Sequence, residues 1–291
     1  MSKVAKRLVS HGVLGLLLAL LALVSYGVWV EPFRIEIHHQ WIEHEALSRV
    51  LGNRTVVQLS DLHVSAMGRV EQQVLRVLDD LKPDLIFLTG DYVKWKGDYE
   101  APLEFLSRLQ ARSGVFAVMG DYDYSISRKS CLFCHERDSG RPTQRHKVRF
   151  LRDSSVMLNL GDGPFWLAGW DEVRNRVFPV SPVHPTRPSS LPSIILSHNP
   201  LNFDLLEPGT GAIMLSGDTH GGQIWLPAFV WWVIGYEKNA RFNQGLFHRG
   251  ENTLFVSRGI GTSHIRLRVY RRPEIVVLHF VPPSSFKESH H

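Results

Sequence analysis

The residues able to do chemistry in this chain recur at one kind of place. Five short apolar runs each lead into Asp or His. Residues 55–59 run into Ser60-Asp61-Leu62-His63, and 84–88 into Gly90-Asp91. Residues 115–119 lead to Gly120-Asp121-Tyr122-Asp123, and 193–196 to Ser197-His198. Residues 212–215 lead to Gly217-Asp218-Thr219-His220-Gly221-Gly222-Gln223. An apolar run bounded by Gly and Asp reads as a buried strand. The C-terminal ends of strands are where open α/β sheets place ligands. Carboxylates and imidazoles together suit Mn, Fe, Zn or Mg better than a closed thiolate site would. One Asp behind a strand is ordinarily a turn former. Five such pieces in order point to one shared metal centre.

Elements must hold these ends together. Residues 70–81 have helical spacing, with Val70, Val74, Val77 and Leu78 on one face, and residues 103–109 are also helical. Beyond residue 150 the pattern is strand-rich, at 155–160, 164–168, 193–196, 212–215, 254–256 and 274–280. Strands alternating with helices, then mostly strands, predict packed sheets with helices outside. Residues 31–50 have no clear period, and 179–192 read as a Pro/Ser-rich loop. The expected division is an anchor at 1–30, a connecting segment at 31–53, one domain at 54–282 and a tail at 283–291.

The first 30 residues hold no Asp or Glu and carry Lys3, Lys6 and Arg7. Residues 12–30 lack formal charge, and as a helix they would be about 28 Å long, near the ~30 Å hydrocarbon core. Tyr26 and Trp29 stand at the far end, where amphipathic rings favour the interface. A single-pass anchor is expected, with a cleaved signal peptide as the alternative. Basic residues ahead of the span predict a cytoplasmic N-terminus and a domain outside the cytoplasm, the alternative being the cytoplasmic membrane face. Of the net +5, little is left for the domain, so composition gives no reason to expect a nucleic-acid partner.

The order Asp61-x-His63, Gly90-Asp91, Gly120-Asp121-x-Asp123, His198 and Gly217-x-x-His220 resembles the calcineurin-like metallophosphoesterase family. Gly217-x-x-His220-Gly221-Gly222-Gln223, the run at 254–263 and Arg272-Pro273-Glu274 are similar to its membrane-associated bacterial branch. The resemblance implies an α/β fold, a four-layer α/β/β/α sandwich, here behind an N-terminal transmembrane helix. It implies two divalent metals sharing Asp91, one also held by Asp61, His63 and His220, the other by Asp121, His198 and Asp218. Two cations ease deprotonation of a water between them and neutralise phosphoryl oxygens, which is hydrolysis of a phosphoester or pyrophosphate bond. Tyr122, Asp123 and Asp91 are the candidate catalytic residues. The branch suggests a lipid-linked or nucleotide-linked phosphate substrate at the membrane.

Three positions depart from the family's pattern. Asp121 stands where Asn is usual, Asp218 where His is usual, and Tyr122 where His is common. The two added carboxylates favour Mn or Mg over Zn at the second site. A phenol is a poor acid at neutral pH but a competent donor, enough for a good leaving group. The alternative is a membrane-tethered metal- or anion-binding module with little turnover.

Residues 128–152 carry eight basic residues against Glu136 and Asp138. Arg141, Arg145 and Arg149 are expected to draw in an anionic substrate. The same segment holds Cys131-Leu-Phe-Cys134-His135, the pattern of c-type haem attachment. No axial Met stands nearby, so a local disulfide is the expectation, with a zinc clip through His135 or His146 as a third reading. Residues 225–236 are apolar and aromatic, too short to span a bilayer, and read as buried core or as an interfacial patch.

Overall fold

The computed structural model describes residues 3–94, 98–124, 133–134, 141–171, 188, 190–263 and 265–283. Helix α1 (Lys3–Trp29) opens the chain. The stretch Ser10–Phe33 is long and apolar enough to cross a membrane, and its window is almost wholly unburied. By length and composition it could be an anchor or a signal sequence.

Residues 31–53, expected only to connect, contribute to the domain instead. A 3-10 turn (Glu31–Phe33) leads to β1 (Glu36–Glu43) and α2 (Glu45–Leu51). Only Ile42 of β1 is buried, and two His and a Gln blur the two-residue alternation an edge strand would show. Helix α2 starts at His44, whose Nδ1 accepts from the Leu47 N–H at 3.1 Å. His is not among the preferred capping residues, so no start signal stands in the sequence.

The remaining elements of the first sheet follow in chain order. They are β2 (Val56–Leu59), α3 (Arg69–Leu81), β3 (Leu85–Thr89), α4 (Glu100–Ser107), β4 (Gly114–Val118) and β5 (Arg149–Phe150). The second sheet takes β6 (Ser154–Asn159), β7 (Pro164–Trp170), β8 (Ser193–Ser197) and β9 (Ile213–Ser216). Two short helices, α5 (Ala228–Val233) and α6 (Glu237–Arg241), precede β10 (Gly245–Arg249) and β11 (Asn252–Val256). The last strand, β12 (Glu274–Val281), returns to the first sheet.

Both sheets are mixed, in the orders β1-β12-β2-β3-β4-β5 and β10-β11-β9-β8-β7-β6. Strands β2, β3 and β4 run parallel in the first sheet, and β7, β8, β9 and β11 in the second. Every residue of β2, β3, β8 and β9 is buried, which is why these strands read as short, mainly apolar runs, with Gln58 the polar exception inside β2.

The sheets pack face to face through Val56, Phe87, Leu167, Leu196, Leu215, Phe255 and Leu278. Leu47, Val50 and Leu51 of α2 join the same cluster. On the outer face of the first sheet, Val74 and Leu78 of α3 pack with Leu103, Phe105 and Leu106 of α4. Helices and two sheets make three layers. Among the described residues the fourth is thin: a 3-10 helix (Pro200–Leu205) with Leu201 and Phe203, then Leu206 and Phe242 at the end of α6, cover the second sheet. Most of 179–192 lies outside the described residues.

Gln58 ties the sheets at the edge where the chemical residues stand. Its buried Nε2 donates to Thr89 Oγ1 at 3.1 Å and to the Ser216 carbonyl at 3.0 Å, linking β2, β3 and β9.

Phe87 lies wholly inside the inter-sheet core. Phe87→Ala should lower the unfolding free energy by about 3–5 kcal/mol in chemical denaturation in detergent. Met157→Ala, at an exposed edge position, should change it by about 0.5 kcal/mol or less.

Candidate metal centre

The parallel strands β2, β3, β4, β8 and β9 all deliver their C-terminal ends to one edge of the sandwich. There the chain turns sharply, and the turning residues are themselves the candidate ligands. Asp61 (φ 50°), His63 (44°), Asp91 (60°), Asp218 (72°) and His220 (53°) all adopt the left-handed region. A side chain there is strained, and such residues cluster where the surroundings over-determine them. Gly120 and Gly217 leave the room. A Cβ on Gly120 would collide with the Asp91 carboxylate, and one on Gly217 with Ser60 and Asp61.

Asp123 holds two of these loops in place. Its Oδ2 accepts the N–H of Gly120 at 2.8 Å and of Asp91 at 2.9 Å. Its Oδ1 accepts those of Tyr92 at 2.8 Å and Val93 at 3.3 Å. Asp123 is among the residues expected to be catalytic. Its carboxylate is buried and spent on four backbone donors, so it positions the loops after β3 and β4.

The other Asp and His side chains converge in three overlapping groups able to hold metal ions. These are Asp61, His63 and His220; Asp61, Asp91 and His198; and Asp121, His198 and Asp218. His63 Nε2 lies 3.1 Å from His220 Nε2 and 3.4 Å from Asp91 Oδ2. His220 Nε2 lies 3.4 Å from Asp61 Oδ1. His198 Nε2 faces Asp91 at 3.5 Å, Asp121 at 3.6 Å and Asp218 at 4.0 Å. Among the described residues that nitrogen has no hydrogen-bond partner, despite its burial. His198 Nδ1 sits 2.7 Å from the Thr89 carbonyl, so that nitrogen carries a proton, and Nε2 is turned into the cluster.

Burial dominates the electrostatics. It raises the Asp61 carboxyl to about 6 and Asp91 well above the ordinary carboxylate range. It lowers His63 to about 3 and His220 well below its ordinary value, so both imidazoles are neutral lone-pair donors. At His198 burial is outweighed by Asp91 and the neighbouring carboxylates, which raise it well above the usual value. Burial also works to raise Asp121, but contact with His198 holds it down at about 2. The cluster is thus a set of buried carboxylates whose ionised forms burial disfavours, the setting that a bound cation relieves.

Tyr122 lies against the group. Its N–H donates to Asp91 Oδ1 at 3.0 Å, and its ring meets His63 edge-on at 4.8 Å. Burial, then the surrounding carboxylates, push its hydroxyl above the ordinary tyrosine value, so it stays protonated.

Arg141, Arg145 and Arg149, expected to draw in an anionic substrate, all lie at the surface. Arg145 makes a two-pronged ion pair with Glu100 at 2.9 and 2.7 Å, held by the first turn of α4. Arg141 and Arg149 are exposed, Arg149 on the edge strand β5. Residues 125–132 and 135–140 lie outside the described residues, Cys131 and His135 among them. Cys134 is disulfide-bonded, so its sulfur is not available to haem or zinc.

Two cations here carry no sequence signal. Lys238 of α6 makes a close ion pair with Asp218. Arg268 is fully buried and donates to the carbonyls of Arg258 (3.0 Å), Gly259 (3.2 Å) and Gly261 (2.6 Å), behind His220.

Ligands must be deprotonated to bind metal. Metal affinity should therefore fall as pH drops through about 6, where Asp61 takes up a proton. Titration calorimetry with Mn should show roughly tenfold weaker binding or more at the acid end of pH 7.5 to 5.0.

The chain is 28% identical over 295 residues to the metallophosphoesterase YkuE of Bacillus subtilis, covering 95% of this chain and 98% of that one. It is 27% identical over 232 residues to the phosphodiesterase YaeI of Escherichia coli, with 78% and 82% covered. It is 28% identical over 330 residues to the UDP-2,3-diacylglucosamine pyrophosphatase LpxG of Chlamydia trachomatis, with 93% and 98% covered. The family model for calcineurin-like phosphoesterases matches residues 54–222, which span every strand end from Asp61 to His220. The chain belongs to the calcineurin-like phosphoesterase family.

Proposed function

We propose that this protein is a membrane-anchored, metal-dependent hydrolase of a phosphoester or pyrophosphate bond in a lipid-linked or nucleotide-linked substrate. The observation that carries the reading is the overlap of three Asp/His groups around Asp61, Asp91 and His198. Asp61, His63, Asp91 and His220 would hold one metal; Asp91, Asp121, His198 and Asp218 would hold the other. The donor set fits: two neutral imidazoles face each other, and His198 Nε2 is buried without a hydrogen bond among three carboxylates. The carboxylates of Asp121 and Asp218 favour Mn, and the two mixed sheets supply the scaffold.

Bound metal would polarise a phosphoryl oxygen and make water a better nucleophile at neutral pH. The chain does the rest by position. Asp123 fixes the Asp91 and Gly120 loops. Tyr122, kept protonated, donates a hydrogen bond to the leaving oxygen rather than a full proton. That suffices for a phosphate leaving from a pyrophosphate bond. LpxG's named substrate class and an apolar helix at the N-terminus support a lipid-linked substrate. A disulfide at Cys134 supports a domain outside the cytoplasm.

One observation favours a second reading. Lys238 places an ammonium on Asp218, where the second metal would sit. A protein with that site filled by lysine would bind one metal and turn nothing over. Metal analysis and phosphodiester hydrolysis separate the two. The hydrolase should bind two Mn per chain and lose about 100-fold or more of its activity in Asp91→Asn. One metal per chain, with no turnover under any added divalent ion, would establish the binding module instead.

A further inference from the structure

The end of α1 is fastened to the loop that backs the candidate metal centre. The Arg268 N–H donates to the Gly27 carbonyl at 2.9 Å, and Gly27 packs against Leu267 and Val269. The Arg271 N–H donates to Glu31, which is buried, at 2.5 Å. The Arg266 guanidinium lies 5.2 Å from the Trp29 ring and 5.3 Å from the Phe33 ring. Val269 in turn pairs with the segment leading to α5: its N–H donates to the Gln223 carbonyl at 2.8 Å and its carbonyl accepts from Trp225 at 3.0 Å.

Helix α5 is turned the wrong way for a protein surrounded by water. Trp231 is buried, and a Cβ on Gly222 would meet its ring. The opposite face carries Phe229, Trp232 and Val233, at i, i+3 and i+4, which are 67%, 66% and 81% exposed. A surface helix ordinarily turns such residues inward, and a contiguous apolar patch marks an interaction surface. Residues 219–236 contain no Asp or Glu, and Arg266 and Arg272, in the loop that pairs with the segment leading to α5, are exposed. Exposed aromatics beside cationic residues match the head-group region of an anionic bilayer.

We propose that the exposed face of α5 inserts into the bilayer beside the point where α1 leaves it, holding the mouth of the metal centre at head-group level. The proposal rests on α1 being a retained anchor, as in the function proposed above. A lipid-linked phosphate would then reach Asp61 and His220 without its acyl chains leaving the membrane. The patch is built from the turn after His220, so insertion and substrate approach are set by one segment.

The test uses the full chain in nanodiscs containing anionic phospholipid, after intact mass has verified that α1 is present. A nitroxide is attached through V233C, and a control label through M157C on the exposed face of β6. The label at 233 should collide with oxygen and be shielded from an aqueous nickel chelate by about tenfold relative to 157. Phe229→Ser with Trp232→Ser should return position 233 to the accessibility of 157. Equal exposure of both labels to nickel would overturn the proposal. Shielding of position 233 from oxygen and nickel alike would overturn it in favour of a second protein chain on this face. Loss of α1 from the purified chain would remove its premise. The readout requires no turnover, so an inactive protein would count against the hydrolase and leave the membrane result intact.

Discussion

Buried carboxylates beside buried imidazoles are the constraint on which this structure turns. Asp61, Asp91 and Asp123 are each nearly inaccessible to water, and their loops are adjacent. Desolvation and mutual repulsion act to separate them. The fold resists in two ways. Asp123 is neutralised in place by four backbone N–H donors, which lock two loops together. The remaining charge is left facing His198, with a geometry that asks for a cation. A scaffold that tolerates this cost does so for function, because apolar replacements of similar volume would serve stability better.

The rest of the architecture follows from keeping those groups still. Parallel central strands end at a common edge, so five separate chain segments present their last residues to one space. Gln58 crosses from one sheet to the other just beneath it, which couples the ligands on β2 and β3 to those after β9. Two glycines clear the volume that the carboxylates occupy. Arg268, buried behind His220, gathers the carbonyls of the 258–261 loop, so the wall of the site is fastened from below.

Much of this was legible in the residues before any fold was known. The central strands are apolar on both faces and stand out as runs, and the Asp and His at their ends mark the site. What was hidden lacked a local signature. Strand β1 is half-exposed and interrupted by His38, His39 and Gln40, and α2 begins on a histidine cap. Lys238 and Arg268 are ordinary cations in sequence and acquire meaning only from Asp218 and from the loop carbonyls they meet. Asp123 stands out in sequence as part of the Gly120-Asp121-x-Asp123 strand end. Its role is decided by which N–H groups surround it, and spacing does not show that. Charge and closeness in sequence to Asp121 mark the basic run at 128–152, but neither shows that Glu100, on a helix 45 positions earlier, engages Arg145.

The place of β12 has a consequence for how the chain folds. It is the last strand made, yet it lies between β1 and β2, with all eight residues of β1 in register along it. The first sheet therefore stays open through the middle until Val281 has been synthesised. Closing it joins segments more than 200 positions apart, and such distant pairings form slowly. During that interval β2 keeps an unpaired edge, a site at which nascent chains aggregate. If α1 enters the bilayer first, it confines β1 near the membrane surface and shortens the search that β12 must make.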